Sequence, residues 1–397
     1  MDAAQTATVR RPSGAGGTAA LVAAPTTSLP EWPGGERNRD YRYMWHRDAA
    51  LVVLVLVRLG HRAEAGACLR GLLRHCTASR GVLTPVPDID GRTDSTERTL
   101  DHLEGYRGSR PVRVGNAAHE QRQLDVYGQV LDAVLVFQQV TAGSGDGSGA
   151  GAGLDEDERA TVYGVADTAC GLWREPDHGI WEIRGEPRHW TTSKLYLWVC
   201  LDRGIRLAEP TGDPGQPLEK WRAQRDELRE SILTHGYDDG VGAFVQSYGS
   251  RNLDASLLRI PLLGFLPGRD PRVLSTLDAI AQGLGEGPLV HRYDPRATAD
   301  GIDDPEGGFL LCSFDMVSAL VLAGGMDEAR ERFESLCARA GRFGLSAEEQ
   351  AADGTMLGNY PQAFTHLALI EAAMNLEDAG REDSLHAWAT RGASGPG

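Results

Sequence analysis

The sequence predicts an all-α protein built from paired helices, and three observations lead to this prediction. Apolar residues recur with helical spacing along most of the chain. Strand patterns are few, with AFVQSY (243–248) and LVHRY (289–293) the main candidates for short strands at loop edges. Glycines stand where helices should end, as at Gly60 and at Gly324.

The first predicted helical pair occupies residues 47–60 and 61–76. The first member, RDAALVVLVLVRLG, is almost purely apolar after its charged start, and such a run is expected to be buried. The second member has the i, i+3, i+4 stripe of an amphipathic helix, formed by Ala65, Cys68, Leu69, Leu72 and Leu73. Similar patterns predict further helices at roughly 120–142, 155–175, 190–208, 216–236, 270–284, 309–323, 326–341 and 359–378.

These helices are expected to form one domain over residues 30–380. Residues 1–29 are rich in Ala, Thr and Gly and are predicted to be a flexible N-terminal segment, with 381–397 as a C-terminal tail. The stretch AGSGDGSGAGAG (142–153) is predicted to be a low-complexity surface loop, because neither side of it resembles a complete domain. The other interhelical loops are long and aromatic, so function is expected to lie in them.

The amino-acid composition argues against several classes of protein. The 397 residues are 41% hydrophobic and 24% charged, and 56 acidic against 40 basic residues give a net charge of −16. This charge argues against nucleic acid or an anionic membrane surface as a partner. No apolar run approaches the ~18 residues that span a bilayer, so we expect a cytoplasmic protein. The six cysteines include no C-x-x-C and are predicted to be reduced core residues, rather than disulfides or metal ligands.

One segment, NRDYRYMWHRDAA (38–50), combines aromatic and charged residues immediately before a buried helix. Aromatic residues such as Tyr41 and Trp45 are not typical of a solvated loop, and charged residues such as Arg47 and Asp48 are not typical of an apolar core. Aromatic faces beside hydrogen-bonding charges suit a sugar, which offers C–H faces for stacking and hydroxyls for hydrogen bonds. The alternative is that Arg47 and Asp48 form a salt bridge that caps the helix, and both roles could coexist.

Carboxylates are the remaining chemical candidates, because the chain has no phosphate-binding loop, zinc motif or serine-hydrolase elbow. In WREPDHGIWEIRGEPRHW (173–190), Glu182 follows Trp181, and a carboxyl beside an indole is partly desolvated. In GLSAEEQAADG (344–354), Glu348 and Glu349 are adjacent. Taken alone, each pattern is more typical of a surface carboxylate in a loop or at a solvated helix end. No cofactor and no metal are expected.

Seven motifs, taken together and in order, resemble glycoside hydrolase family 15, which includes glucoamylases and trehalases. The resemblance runs from about Leu21 to Leu376 and covers the catalytic domain alone. Its motifs are RDYRYMWHRDAAL, DHLEGYRGSRPVRVGNAA, DVYGQVLDA, GIWEIRGEPRHW, LDRGIRLAE, GGFLLCSF and LGNYPQAFTHLAL. The resemblance implies an (α/α)6 toroid of six inner and six outer helices, with the site at one mouth. It also implies exo-acting, inverting hydrolysis of an α-glucoside that releases β-glucose.

The resemblance assigns roles to individual residues. Glu182 matches the general acid and Glu348 the general base, with Glu349 as an alternative base. The residues that match sugar-binding positions are Tyr41, Trp45, Arg47, Asp48, Trp181 and Arg292.

Three residues depart from the family pattern and are expected to lie in pocket loops: Arg39, Thr192 and Asp315. They leave open a diverged enzyme that acts on another glycosylated or non-sugar small molecule, or a catalytically silent binding protein. A homodimer could cover apolar surface, and a small carbohydrate is the expected substrate.

Overall fold

The computed structural model describes residues 8–10, 19–78, 82–86, 95–142, 153–212, 215–298, 300–301 and 304–379. The α-helices of this part of the chain are α1 (His46–Arg58), α2 (Arg62–Ala78), α3 (Asp125–Ala142), α4 (Glu156–Leu172), α5 (Thr191–Ala208), α6 (Leu218–His235), α7 (Arg259–Leu262), α8 (Pro271–Gly283), α9 (Leu310–Ala323), α10 (Met326–Ala338) and α11 (Ala363–Asp378). Residues 143–152, which are most of the predicted loop 142–153, and the predicted tail 381–397 lie outside the described residues.

Short antiparallel strands lie between the helices. They are β1 (Thr8–Arg10), β2 (Ala19–Leu21), β3 (Arg98–Thr99), β4 (Arg113–Val114), β5 (Tyr237–Asp238), β6 (Ala243–Phe244), β7 (Gly285–Glu286), β8 (Leu289–Val290), β9 (Gly308–Phe309), β10 (Glu349–Gln350) and β11 (Met356–Leu357). Four pairs are consecutive along the chain, whereas β10 lies between β9 and β11 in a three-stranded sheet. In that sheet Glu349 is opposite both Phe309 and Leu357.

Burial separates the helices into inner and outer members. The sequence of α9, LLCSFDMVSALVLA, is apolar on all sides, and nearly every residue of the helix is buried. The next helix, α10, reads MDEARERFESLCA and buries only Ala329 and Leu336. A helix that is apolar all round belongs in an interior, whereas an amphipathic helix covers that interior with one face.

The inner helices form a closed ring. Contacts run from α1 to α3 and from α3 to α5, and then through α7 and the turn before it to α9 and α11, which packs back on α1. The outer helices α2, α4, α6, α8 and α10 alternate with them along the chain. The described residues contain six inner and five outer helices, and their closed, alternating arrangement confirms the predicted (α/α)6 toroid.

Buried ion pairs tie neighbouring inner helices together. Arg203 of α5 donates to Asp132 of α3 across 2.9 Å. Arg259 of α7 donates to Asp315 of α9 across 2.9 Å and lies 3.2 Å from Glu371 of α11. Losing one partner of a buried pair would leave an uncompensated charge, so these contacts constrain the register of the ring.

Ten of these helices lie in segments that the sequence predicted, with ends that differ by a few residues. The exception is α7, which the sequence reading missed because four residues are too few to show a helical period. The predicted strands 243–248 and 289–293 shrink to the two-residue strands β6 and β8. Packed residues begin at Leu21, inside the segment predicted to be flexible, where residues 21–24 are buried.

Five of the six cysteines are buried and unpaired, as predicted: Cys68, Cys76, Cys170, Cys200 and Cys312. The prediction is wrong for Cys337, which is exposed, because it lies on the solvent side of the outer helix α10. No described helix is long and apolar enough to cross a membrane.

Candidate active site

A cavity of about 480 Å³, including its open mouth, lies at the end of the ring where the inner helices begin. It is lined by all of the residues that the sequence assigned to the site: Tyr41, Trp45, Arg47, Asp48, Trp181, Glu182, Arg292 and Glu348.

The connectivity of the fold explains why residues so distant in sequence meet here. Because each inner helix is followed by an outer helix that returns the chain, the inner helices all begin at the same mouth. The cavity residues come from the loops that enter α1, α5, α9 and α11, or from the first turns of these helices. Arg39 was expected in a pocket loop, whereas the sequence assigned no role to Ala23, Ile180, Phe309, Leu311, Gln362 and Phe364. Their position at an inner-helix start is the signal that could have identified them.

Glu182 lies in the tight turn before α5. Its φ of 58° is in the left-handed region that side-chain-bearing residues rarely adopt. One carboxylate oxygen, Oε1, accepts a hydrogen bond of 2.7 Å from Trp45 Nε1 and lies 3.5 Å from Arg47 Nη2. The other oxygen, Oε2, lies 4.0 Å from Arg39 Nη1. The Glu182 carboxylate is therefore held through Oε1, and no described residue donates a hydrogen bond to Oε2.

Glu348 lies just before β10, on the side of the cavity that α11 enters. Its Oε1 accepts a hydrogen bond of 2.7 Å from the Tyr41 hydroxyl. Burial, and then the negative charge of Glu31, raise the pKa of Glu348 to about 8, whereas Arg292 and the Tyr41 hydrogen bond oppose this rise. A side chain at Gly358 would lie 3.0 Å from Glu348 Cβ, so a glycine is needed beside this carboxylate.

Glu349 points away from the cavity. Its Oε2 accepts a hydrogen bond of 2.8 Å from the Gly307 amide, and the side chain is fully buried. Successive side chains of an extended strand point to opposite faces, so Glu348 and Glu349 cannot share one surface. Burial, with Glu31 and Glu306 nearby, raises the pKa of Glu349 well above its ordinary value. The geometry therefore places Glu348, and not Glu349, at the cavity.

Arg47 and Asp48 occupy the first turn of α1. Arg47 Nη1 donates to the Ile180 carbonyl across 3.0 Å and to Asp125 Oδ2 across 3.3 Å. Burial raises the pKa of Asp48 to about 6, with Glu182 adding to the shift and Arg47 opposing it. Asp48 Oδ1 is buried and has no hydrogen-bond partner among the described residues. Arg47 is thus fixed by protein groups, whereas Asp48 keeps an unused acceptor.

The cavity residue Arg292 is held by two buried carboxylates, Glu306 and Glu31. Its Nε and Nη2 donate to Glu306 across 2.8 and 2.6 Å, and Nη2 also donates to Glu31 across 2.9 Å. Glu306 in turn lies 2.9 Å from Arg37. The bidentate contact with Glu306 fixes the plane of the Arg292 guanidinium. The contacts with Glu31 and Arg37 connect the N-terminal segment to the loops that precede α9.

Aromatic rings complete the walls. The Tyr41 and Trp45 rings meet edge to face with centroids 5.4 Å apart. Trp181 packs edge to face on Phe309 at 5.2 Å, and its Nε1 donates to Asp254 across 2.9 Å. These hydrogen bonds and ring contacts fix the ring orientations before any ligand arrives.

Of the three residues predicted to alter the pocket loops, the structure brings only Arg39 to the cavity. The prediction is wrong for the other two. Thr192 lies in the first turn of α5, where its hydroxyl hydrogen-bonds to Ser256. Asp315 pairs with Arg259 inside the ring. Both residues belong to inner helices whose side chains are used for packing between helices.

The arrangement suits acid–base chemistry on a neutral, hydroxyl-rich ligand. Two carboxylates are held by two neighbouring aromatic residues, one by the Trp45 indole and one by the Tyr41 hydroxyl. Among the described residues, no group of three His, Cys, Asp or Glu side chains could hold a metal ion.

Comparisons with known proteins fit this site. The family model for glycosyl hydrolases family 15 matches residues 4–374. A trehalase from Mycobacterium tuberculosis (strain ATCC 25618 / H37Rv) is 43% identical over 369 residues, which are 92% of this chain and 52% of the relative. A trehalase from Thermoplasma acidophilum is 40% identical over 364 residues, which are 91% of this chain and 60% of the relative. The chain thus spans between about half and three-fifths of these two relatives.

Solved structures share the fold. A wild-type glycosidase superposes with a TM-score of 0.70 at 19% identity and covers 95% of this chain and 94% of its own. A bacterial glucoamylase complexed with acarbose superposes with a TM-score of 0.66 at 15% identity, over 90% of this chain and 52% of its own. At these identities the likeness concerns the fold alone.

Proposed function

Because the chain belongs to glycosyl hydrolases family 15, we propose that it is an exo-acting hydrolase that cleaves trehalose with inversion at the attacked carbon. The observation that carries the proposal is the pair of carboxylates, Glu182 and Glu348, held at one cavity by Trp45 and Tyr41. The trehalases that share 40–43% identity over most of this chain support trehalose as the substrate.

Glu182 is the proposed general acid. Its Oε1 is occupied by Trp45 and Arg47, so Oε2 carries the proton towards the glycosidic oxygen. Transfer of this proton lets the C1–O bond break and the leaving glucose depart as a neutral alcohol. Without it the leaving group would be an alkoxide.

Glu348 is the proposed general base. In its ionised form it takes a proton from a water, whose oxygen bonds to C1 as the bond to the leaving oxygen breaks. An inverting enzyme requires about 6.5–9.5 Å between its carboxyl groups, so that this water fits on the opposite face of the ring.

The remaining cavity residues would bind the glucose that is attacked. Arg47 and Asp48 offer polar groups for its hydroxyls, and Trp181 offers a flat face for its C–H groups. A cavity that opens at one mouth of the ring would admit the end of a saccharide and not the middle of a chain, which gives exo action.

The test is the anomer of the released glucose, followed by proton NMR on the purified chain with trehalose. Inversion at one carbon yields β-glucose, while the departing sugar keeps its α configuration, so equal initial amounts of the two anomers are expected. α-Glucose alone would contradict inversion. Release from maltose but not from trehalose would replace trehalose with an α-glucan as the substrate.

Glu182→Gln should lower trehalose hydrolysis by roughly 10²- to 10⁴-fold, the usual contribution of a positioned acid. Glu186→Gln is the matched control, since Glu186 lies in the same loop but is exposed. Equal activity of the two variants would show that Glu182 is not the acid.

Cytoplasmic location and homodimerisation stay predictions. Cell fractionation would test the first, and light scattering on the purified chain would test the second.

A further inference from the structure

Arg39 is a buried cation whose side chain has no short contact with its neighbours. Its residue is only 7% exposed and lines the cavity. Its Nε lies 3.9 Å from Glu31 Oε1, and its Nη1 lies 4.0 Å from Glu182 Oε2. Both separations exceed hydrogen-bond length, so no described side chain accepts a hydrogen bond from this guanidinium.

The other two cavity arginines are used differently. Arg47 donates to Asp125 and to a backbone carbonyl, and Arg292 makes a bidentate contact with Glu306. Buried donors normally have partners, because an unsatisfied polar group costs about 1–3 kcal/mol. Arg39 therefore differs from both in having its donors available to a ligand.

The position of Arg39 identifies the part of the ligand that it would meet. The Oε1 atom of Glu182 is occupied by Trp45, and Oε2 is the atom nearest to Arg39. If Oε2 delivers the proton, the departing oxygen must lie beside it, and the leaving group must extend from that oxygen. Arg39 then lies on the leaving-group side of the cleaved bond.

We propose that Arg39 binds the leaving sugar, by donating hydrogen bonds from its guanidinium to hydroxyl oxygens of that sugar. The inference rests on the proposed function and adds a determinant of substrate choice to it. A guanidinium has five N–H donors in a fixed plane, and neighbouring sugar hydroxyls offer acceptors at matching spacing. The site accordingly favours α-glucosides whose leaving group carries hydroxyls over those with a halide or plain alkyl leaving group.

The experiment measures trehalose binding without turnover. In a Glu348→Gln background, calorimetry gives the affinities for trehalose and for glucose, with and without Arg39→Met. Methionine keeps an unbranched side chain and removes every donor, while Glu31 keeps its 2.9 Å contact with Arg292. We expect Arg39→Met to weaken trehalose binding by about 10- to 100-fold, the loss expected for hydrogen bonds from a charged donor. Glucose affinity should stay within about twofold, because glucose fills the other subsite.

Arg296→Met is the matched control, since Arg296 is exposed on the loop before α9. It should change neither affinity. Equal weakening of trehalose and glucose by Arg39→Met would overturn the inference, because the arginine would then support the whole site. Unchanged trehalose affinity in Arg39→Met would also overturn the inference. Arg39 would then influence only the nearby Glu182 carboxylate.

Turnover of α-glucosyl fluoride tests the proposed hydrolase activity independently of the role proposed for Arg39. Fluoride has no hydroxyls for a guanidinium to bind, so Arg39→Met should lower kcat/KM for trehalose far more than it lowers activity on this substrate. Loss of that activity in Arg39→Met would count against a role confined to the leaving sugar. If the unsubstituted chain also fails to hydrolyse the fluoride, the proposed function itself fails, and the inference with it.

Discussion

At the scale of single residues, Tyr41 and Trp45 each donate a hydrogen bond to a different one of the two proposed catalytic carboxylates. Four positions apart in sequence, they donate to Glu348 and Glu182 respectively, each across 2.7 Å. The two acids consequently have different environments. Glu348 is bound by a neutral hydroxyl, whereas Glu182 has two arginines within 4.0 Å.

The surroundings of Glu348 predict the pH dependence of trehalose hydrolysis. A base must be ionised, and the pKa of Glu348 is raised to about 8 by burial and by Glu31. The value of kcat/KM should therefore fall as the pH falls through that pKa. Tyr41→Phe removes a hydrogen bond that favours the carboxylate and lowers its pKa, so this variant should move the acidic limb to higher pH. Measurement of kcat/KM against pH for both chains checks the direction.

Tyr43→Phe is the control for the loss of a hydroxyl, because Tyr43 does not line the cavity. Its acidic limb should coincide with that of the unsubstituted chain. A shift of the Tyr41→Phe limb to lower pH would mean that Glu348 is not the group whose ionisation limits the reaction.

At the scale of elements, the three-stranded sheet of β9, β10 and β11 positions the proposed base. Pairing of Glu349 with Phe309 and Leu357 turns the preceding residue, Glu348, towards the cavity. The loop after β11 then passes close behind Glu348. Its Gly358 has φ of 78°, and a Cβ there would lie 3.0 Å from Glu348 Oε2.

This close approach predicts the effect of Gly358→Ala. Alanine at a positive φ costs roughly 1–2 kcal/mol of folding free energy, and here its methyl would also displace the Glu348 carboxylate. We expect kcat/KM for trehalose to fall about 10- to 100-fold, since a small misplacement of a catalytic group has effects of that size. Steady-state kinetics and thermal unfolding are the measurements.

Gly354→Ala is the matched control, with φ of 91° and nothing within 4 Å of the added Cβ. It should lose a similar amount of stability and keep its activity. Equal loss of activity in both variants would attribute the effect to the strained loop and not to Glu348.

At the scale of the whole molecule, stability and function depend on how tightly the inner ring closes. The helices α3 and α5 approach so closely that a Cβ at Gly128 would lie 1.9 Å from the Tyr196 carbonyl oxygen. Both atoms belong to helix backbones, so neither can move without shifting a helix. The same ring brings the loops before α1, α5 and α11 to one mouth.

Gly128→Ala should therefore destabilise the fold by about 1–3 kcal/mol or more, the cost of overpacking a well-filled interior. Gly164→Ala is the control: Gly164 is in the outer helix α4, and nothing lies within 4 Å of its added Cβ. There alanine should stabilise the chain by about 0.5–1 kcal/mol. Denaturant unfolding of both variants tests the difference, and equal midpoints would contradict the close packing of α3 on α5.

The sequence by itself determined the helices and the residue types of the site. Helical periodicity is a local property, so it identified every helix of the described chain except α7, whose four residues are too few to show a period. The mixture of aromatic and charged residues in 38–50, immediately before an apolar run, indicated a sugar-binding segment. Resemblance to a known family then supplied the closed ring and all eight assigned cavity residues.

Only the tertiary structure decided which polar atoms remain available. Glu348 and Glu349 are adjacent and chemically identical, and the strand pairing of β10 separates their faces. Arg39 is one arginine among several in its segment, and its free donors depend on Glu31 and Glu182, which lie on distant loops. Thr192 and Asp315 were expected at the pocket but face other helices. Hydrogen-bond partners are set by long-range packing, and no local pattern in the sequence encodes them.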